Sequence, residues 1–203
     1  QEKNKQTKLI NGLKRKEKNY KNDIDKKQKL SNQLNKEIEK LIKEAIKESN
    51  KNSTKNVFTL TPEAKLTAKN FLSNKGNLPW PVERGVIIQK FGLQPHPVVR
   101  TTKIQSNGIV IATTKNASVR SVFNGVVLSV LKFKSSNLTV LIQHGNYITA
   151  YKNLASVFVE KGQKVSSLES IGITLDNDES KTTLQFSIFE NTKALDPYLW
   201  IAK

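Results

Sequence analysis

SVRSVFNGVVLSVLKFKSSNLTVLIQHGNYITAY, residues 118–151, is the stretch whose reading decides the fold. Its apolar residues come in short runs rich in Val, Ile, Thr and Phe, separated by Asn, Gly and Ser, which is the signature of strand after short strand. Asn124-Gly125 breaks the longest run and predicts a two-residue hairpin turn, in which both central residues take positive φ. The same texture extends outward over 86–91, 108–113, 171–175 and 182–189. Together these runs predict a mostly antiparallel β domain.

The chain before it has a different period. Placing heptad position a on Ile10, Glu17, Ile24, Ser31, Ile38 and Ala45, and d on Leu13, Tyr20, Lys27, Leu34 and Leu41, makes eight of the eleven apolar. That predicts one long coiled-coil helix over 1–50 with a narrow apolar seam, interrupted at Glu17, Lys27 and Ser31. Residues 48–55 are polar and aperiodic and read as a linker. A second, short helix follows: Thr61 is a good N-cap, Pro62 suits the first helical position, Glu63 favours the positive end, and Gly76 and Pro79 close it. The fold class is therefore α+β, with an arm over 1–50, a linker and helix over 51–77 and a β domain over 78–203.

The 34 Lys and Arg outnumber 17 acids, for a net charge of +17, and the excess lies in both halves of the chain rather than in one tail. Such a balance favours anionic surroundings. The Lys clusters at 14–18 and 26–29 read as the solvated face of the coiled coil. No nucleic-acid reader motif appears, so nucleic acid is not expected as a partner. The absence of cysteine excludes a disulfide framework and thiol catalysis. There is no methionine either, which reads as a processed or excised piece whose export signal has been removed.

From Leu78 onward, Leu-Pro-Trp-Pro-Val, Lys-Phe-Gly (90–92), Asn-Gly-Ile-Val-Ile (107–111), His-Gly (144–145), Ala-Tyr-Lys-Asn-Leu (150–154), Lys-Gly-Gln-Lys-Val (161–165), Leu-Gln-Phe-Ser-Ile (184–188) and Asp-Pro-Tyr-Leu-Trp (196–200) occur in order. This series resembles the lysostaphin-like, or LytM-type, zinc peptidases, whose β domain has the duplicated hybrid motif. The resemblance implies that the metal ligands of that family correspond to Ser106, Val110 and Gln185, and its catalytic histidines to Asn153 and Thr183. None of the five is a residue type that serves there: zinc takes thiolate, imidazole or carboxylate ligands. No metal and no cofactor are expected.

Within that group the chain resembles the EnvC-type murein hydrolase activators in their Bacteroidetes-like form, most specifically at 74–82 and 91–98. The resemblance implies a non-catalytic protein. Its metal-free groove would bind and activate a peptidoglycan N-acetylmuramoyl-L-alanine amidase in cell division, while the coiled-coil arm engages an FtsEX-like membrane transporter. It implies an exported protein of the periplasm or cell envelope, with peptidoglycan as a further contact. Ser106, Asn107, Val110, Tyr151, Asn153, Thr183, Gln185 and Ser187 are the expected groove, neutral but rich in hydrogen-bonding capacity. The short helix, through Leu66, Phe71 and Leu72, is expected to regulate access by lying across it. Two alternatives stay open: a cell-wall or glycan-binding scaffold with no regulated enzyme, and an active zinc endopeptidase. Of the two histidines, His144 reads as structural and His96 as a loop anchor, while Trp80 and Trp200 read as core-sealing aromatics.

Overall fold

A computed structural model describes residues 2–50, 56–96, 99, 101–133, 137–176 and 182–203. In chain order the elements are α1 (Glu2–Ser49), α2 (Pro62–Ser73), β1 (Val86–Gln89), β2 (Gly92–Pro95), β3 (Lys103–Ser106), β4 (Ile109–Ala112), β5 (Ser118–Arg120), β6 (Gly125–Phe133), β7 (Asn137–His144), β8 (Tyr147–Val157), β9 (Lys164–Val165), β10 (Ser170–Thr174), β11 (Thr183–Glu190) and β12 (Lys193–Leu195). A 3-10 turn, Pro197–Leu199, follows β12. The long helix and the antiparallel β domain agree with the α+β reading. Most of the expected linker, 51–55, lies outside the described residues, as do Pro97 and Val98.

The molecule has two compact units. The first comprises Gln1–Glu37 of α1 and the segment Leu93–Gln105. Its helix carries an exposed apolar stripe at Leu9, Ile10, Leu13 and Tyr20. A Glu17–Lys21 ion pair at 3.2 Å spans one turn of the helix, worth only a few tenths of a kcal/mol. Strands β2 and β3 form a two-stranded sheet. The Gln28 amide reads the backbone of Gln105 at both ends: Nε2 donates to its carbonyl at 3.0 Å, and Oε1 accepts from its N–H at 3.2 Å.

The second unit, Ile38–Gly92 with Ser106–Lys203, holds a ten-stranded antiparallel sheet whose main path runs β1-β4-β11-β8-β7-β6-β9, with β10 joining β8 to β5 and β12 adding to β11. Strand parity sorts its residues into two faces. On one face Ile109 and Ile111 of β4, Leu184, Phe186 and Ile188 of β11, Tyr147 and Tyr151 of β8, and Val140 and Ile142 of β7 form the main core with Val119, Ile171 and Trp200. On the other lie Val110, Gln185, Ser187, Phe189, Ile148, Ala150, Lys152, Thr139 and Leu141, none of them part of that cluster.

Helix α2 begins as its sequence predicts, with Thr61 Oγ1 accepting from the Ala64 N–H. Its apolar residues, however, go to the main core. Phe71 is fully buried and packs against His144, Tyr147, Phe123 and Trp200, with ring centroids 4.8 to 5.5 Å apart. Aromatic contacts of this kind stabilise beyond their buried area. Gly145, at φ +74°, allows the approach, because a Cβ there would come within 2.5 Å of the Ala64 carbonyl. Leu66 and Leu72 remain exposed.

One local expectation fails. The run 118–133 breaks at Asn124-Gly125, but not as a hairpin: β5 pairs with β10, β6 pairs with β7 and β9, and neither residue has positive φ. Gly125 is small for another reason. A Cβ there would lie 2.5 Å from the Gln143 carbonyl on the adjacent strand.

Candidate functional site

The sheet face opposite the core is built in rows fixed by strand register. One row reads Thr139, Lys152, Gln185, Val110 across β7, β8, β11 and β4. The next, one pleat along, reads Leu141, Ala150, Ser187, and a third reads Gln143, Ile148, Phe189. Ser187, Thr139, Leu141, Ile148 and Ala150 are almost wholly buried although the core lies on the other side. Something covers this face.

The last part of α1 belongs to the same unit and supplies buried apolar residues suited to that place. Ile38, Ile42 and Ile46 are 0%, 0% and 3% exposed and lie outside the main core cluster. They recur every four residues, one side of a helix laid on a sheet. Ile46, Lys43 and Lys47 border a 190 Å³ cavity together with Asn56 and Thr192, which lies just past the end of β11. The buried stripe therefore leaves the heptad seam here: Ile42 and Ile46 replace Leu41 and Ala45, which are only half-buried. A seam made for another helix has a 3.5-residue period, whereas these three isoleucines recur every four residues. Asn50 fixes the helix end, with Nδ2 donating to the Val57 carbonyl at 2.7 Å and Oδ1 accepting from the Thr59 N–H at 2.9 Å and from the Thr59 hydroxyl. Phe58, buried beyond it, donates its N–H to Asn191 Oδ1.

Of the eight expected groove residues, Val110, Thr183, Gln185 and Ser187 share this face. Tyr151 does not. Parity along β8 turns it into the core, where its ring meets Phe186 and its hydroxyl accepts from the Val122 N–H at 2.9 Å. Asn153 occupies the irregularity where β8 shifts register against β7, at φ +72°, a conformation Asn tolerates better than most residues. Its Nδ2 donates to the Thr183 carbonyl at 2.7 Å, and its Oδ1 accepts from Asn137 at 3.0 Å. The side chain thus clamps β8 to β11 next to Thr183. Ser106 turns its hydroxyl onto the Gly108 carbonyl at 2.7 Å, and Asn107 lies in the bend between β3 and β4. Leu66, Phe71 and Leu72 lie on a helix of the core side, because Phe71 is needed there. Ile38, Ile42 and Ile46, outside the main core, are the segment the burial pattern offers in its place.

Zinc does not fit these residues. Val110 offers hydrocarbon, Ser106 a hydroxyl already bonded, Gln185 a neutral amide, and none is a good ligand for a borderline-soft dication. No three His, Asp, Glu or Cys side chains converge among the described residues. His144 is fully buried on the core face, with Nδ1 2.7 Å from the Asn124 carbonyl and Nε2 2.9 Å from Thr149 Oγ1. Burial pushes its pKa down to about 4, so it is neutral near pH 7. His96 accepts from the Val99 N–H through Nδ1, as a loop anchor does.

One residue of the site carries charge and was absent from the sequence-based list. Lys152 is only 4% exposed, and burial pushes its pKa down to about 8. The signal was available: if Tyr151 faces the core, its neighbour faces the groove.

Residues 104–197 match the family described as Peptidase family M23. Over 80 residues, 39% of this chain, the sequence is 36% identical to the peptidoglycan DD-endopeptidase ShyA of Vibrio cholerae, of whose length it spans 18%. A zinc containing peptidase from Vibrio cholerae superposes with a TM-score of 0.53 at 25% identity, over 64% of this chain and 41% of that one. A chain of the SpoIIQ-SpoIIIAH pore forming complex gives 0.52 at 24% identity, over 64% and 93%, a likeness of fold. The β unit of this chain therefore has a fold of the LytM type, and the stretch within it over 104–197 is similar to Peptidase family M23.

Proposed function

We propose that this chain is a non-catalytic activator of a peptidoglycan N-acetylmuramoyl-L-alanine amidase, of the EnvC type, acting in the cell envelope during division. The observation that supports the reading is chemical: the positions that the resemblance to LytM-type peptidases assigns to zinc and its water hold Ser106, Val110, Asn153, Thr183 and Gln185, none of them a zinc ligand by type. A surface of this make-up cannot lower the pKa of a bound water, but it can bind a polypeptide. The groove formed by β4, β11, β8 and β7 is the docking surface. On this reading the Ile38–Ile46 segment, buried outside the main core, is its gate and leaves before a partner enters. The exposed stripe of α1 at Leu9, Ile10, Leu13 and Tyr20 is a natural contact for an FtsEX-like transporter, whose motion would pull the gate. No helix among the described residues is long and apolar enough to cross a membrane.

The experiment is amidase-dependent dye release from labelled cell walls. The full chain should stimulate weakly and Ile42→Ser strongly, while Gln185→Lys on the Ile42→Ser background should lose stimulation with its circular dichroism unchanged. Release of cross-link peptides by this chain alone, lost on chelation, overturns the reading in favour of an endopeptidase. Wall binding with no stimulation of any amidase leaves the scaffold.

A further inference from the structure

A second cleft, which shares no residue with β4, β8 or β11, lies where α2 meets β6, β7 and β9. It encloses about 560 Å³, within the range of roughly 300–1,000 Å³ usual for sites that take small ligands. One wall is the start of α2, with Glu63 and Thr67, and the facing wall is the β6–β9 ladder, with Asn124, Val126 and Lys164. Gln143 lines the cleft from the end of β7. The helical wall is fixed in place, because Phe71 pins α2 to the core and Gly145 lets the helix press on the β7–β8 turn.

The polar groups of this cleft come in complementary pairs. Asn124 Oδ1 accepts from the Ser167 N–H at 2.7 Å, so that amide has its Nδ2 donor to offer. Gln143 Nε2 donates to the Gly145 carbonyl at 2.9 Å, so this one has Oε1 to offer as an acceptor. One donor and one acceptor, each oriented by the bond at the other end of its amide, are what a single peptide unit requires. The charges are paired in the same sense. Glu63 and Lys164 line opposite walls and, among the described residues, do not bridge to each other. Hydrogen bonds from its own N–H and from the Thr61 hydroxyl hold the Glu63 carboxyl below its ordinary range, so it is ionised at neutral pH. The start of α2 is capped by the chain itself, with the Ala64 N–H donating to Thr61 Oγ1 at 3.2 Å, and adds no anion site of its own.

We infer that this cleft binds a short peptide carrying both a free ammonium and a free carboxylate: the ammonium goes to Glu63, the carboxylate to Lys164, and a peptide unit between them to Asn124 and Gln143. A polyanion is repelled by Glu63 and a simple amine by Lys164, while an uncharged sugar leaves both charges unanswered. Exposed charges hold a ligand weakly, so matching both ends sets specificity more than affinity. The same chemistry is carried by a free oligopeptide and by a stem peptide of the cell wall, whose side-chain amine and terminal carboxyl supply the pair. The site is independent of the amidase reading, which concerns the other face of the sheet.

The test is an amide NMR titration of the full chain with two probes, the wall tripeptide L-Ala-γ-D-Glu-meso-diaminopimelate and L-Ala-L-Ala-L-Ala. Each is used as it is, acetylated on its amines, and amidated on its carboxyls. Saturable shifts should appear over 61–67 and 124–126, and either modification should weaken binding about fivefold, the upper end for an exposed ion pair. In Glu63→Gln acetylation should cease to matter while amidation still does, and in Lys164→Met the reverse, a crossed pattern that a general loosening of the fold does not produce. Preference for the wall tripeptide assigns the source to peptidoglycan, and equal binding of the two assigns it to free peptides at large; both support the site. No saturable shifts there, or affinities indifferent to both substitutions, overturn the inference. Should Glu63→Gln loosen α2, Lys164→Met, on an exposed strand residue, decides the matter through amidation alone.

Discussion

Truncating Ile42 to alanine should open the groove without unfolding the sheet. Ile42 is 0% exposed and sits in the middle of the three isoleucines, outside the cluster that holds the domain together. An Ile→Ala change at a fully buried site costs about 2–4 kcal/mol, and here nearly all of it falls on the closed state of the cover. The open population should rise about 30- to 1000-fold, since each 1.4 kcal/mol is a factor of ten. Lys152 reports on this directly. Its amine is shielded in the closed state, whereas Lys164 is exposed and serves as an internal reference. Amine acetylation read by peptide mass spectrometry should show the Lys152-to-Lys164 ratio climbing by that factor in Ile42→Ala, with near-UV circular dichroism preserved. An unchanged ratio in a folded variant would refute the reasoning, because Ile42 would then cover something other than the groove. If labelling rises only together with loss of the near-UV signal, the cover and the core are one cooperative unit.

Two further predictions concern the core side. The ring of His144 is held neutral by burial, with its pKa at about 4 against an ordinary 6.5, so the unfolded chain binds the extra proton first as pH falls. Stability should be fully present above pH 6.5 and should drop by about 3 kcal/mol as pH passes down through 4; a carbon-detected ring titration showing a midpoint near 6.5 for His144 would contradict this. Gly145→Ala should destabilise the domain by about 2–4 kcal/mol, combining the positive-φ penalty with overpacking. A Cβ there meets both the Ala64 carbonyl and the Ala68 side chain, so an unchanged urea midpoint would mean that α2 does not press on the β7–β8 turn as described.

How much of this was legible beforehand depended on range. Helix α2 could be read because Thr61, Pro62 and Glu63 act on their own neighbours, and the strands could be read because alternation is local. Trp200 was rightly expected in the core, since it is 3% exposed there. What failed needed partners far along the chain. Asn124-Gly125 looks like a hairpin turn, but β5 finds β10 about fifty residues on, and no short-range signal encodes that choice. Tyr151 was placed in the groove because its motif was treated as a block, whereas a strand sends successive side chains to opposite faces. The same error hid Lys152. The heptad reading of α1 missed where the buried stripe leaves the seam, because Ile42 and Ile46 look like stray apolar residues in the sequence. Leu66 and Leu72 advertised a covered helix face that the structure leaves open to solvent.

The Asn50 clasp turns the gate into a tethered competitor. Because the side chain of Asn50 ties the end of α1 to Val57 and Thr59, the covering segment swings from a fixed point and is never lost to bulk solution. Its local concentration at the groove stays on the order of millimolar whatever the amount of protein present, as for any short tether. A freely diffusing partner at micromolar levels meets that competitor at a disadvantage of about a thousandfold. Dilution cannot relieve it, and added protein cannot worsen it. If the chain works as proposed above, force or binding applied to the arm, rather than its concentration, sets how much of it is open.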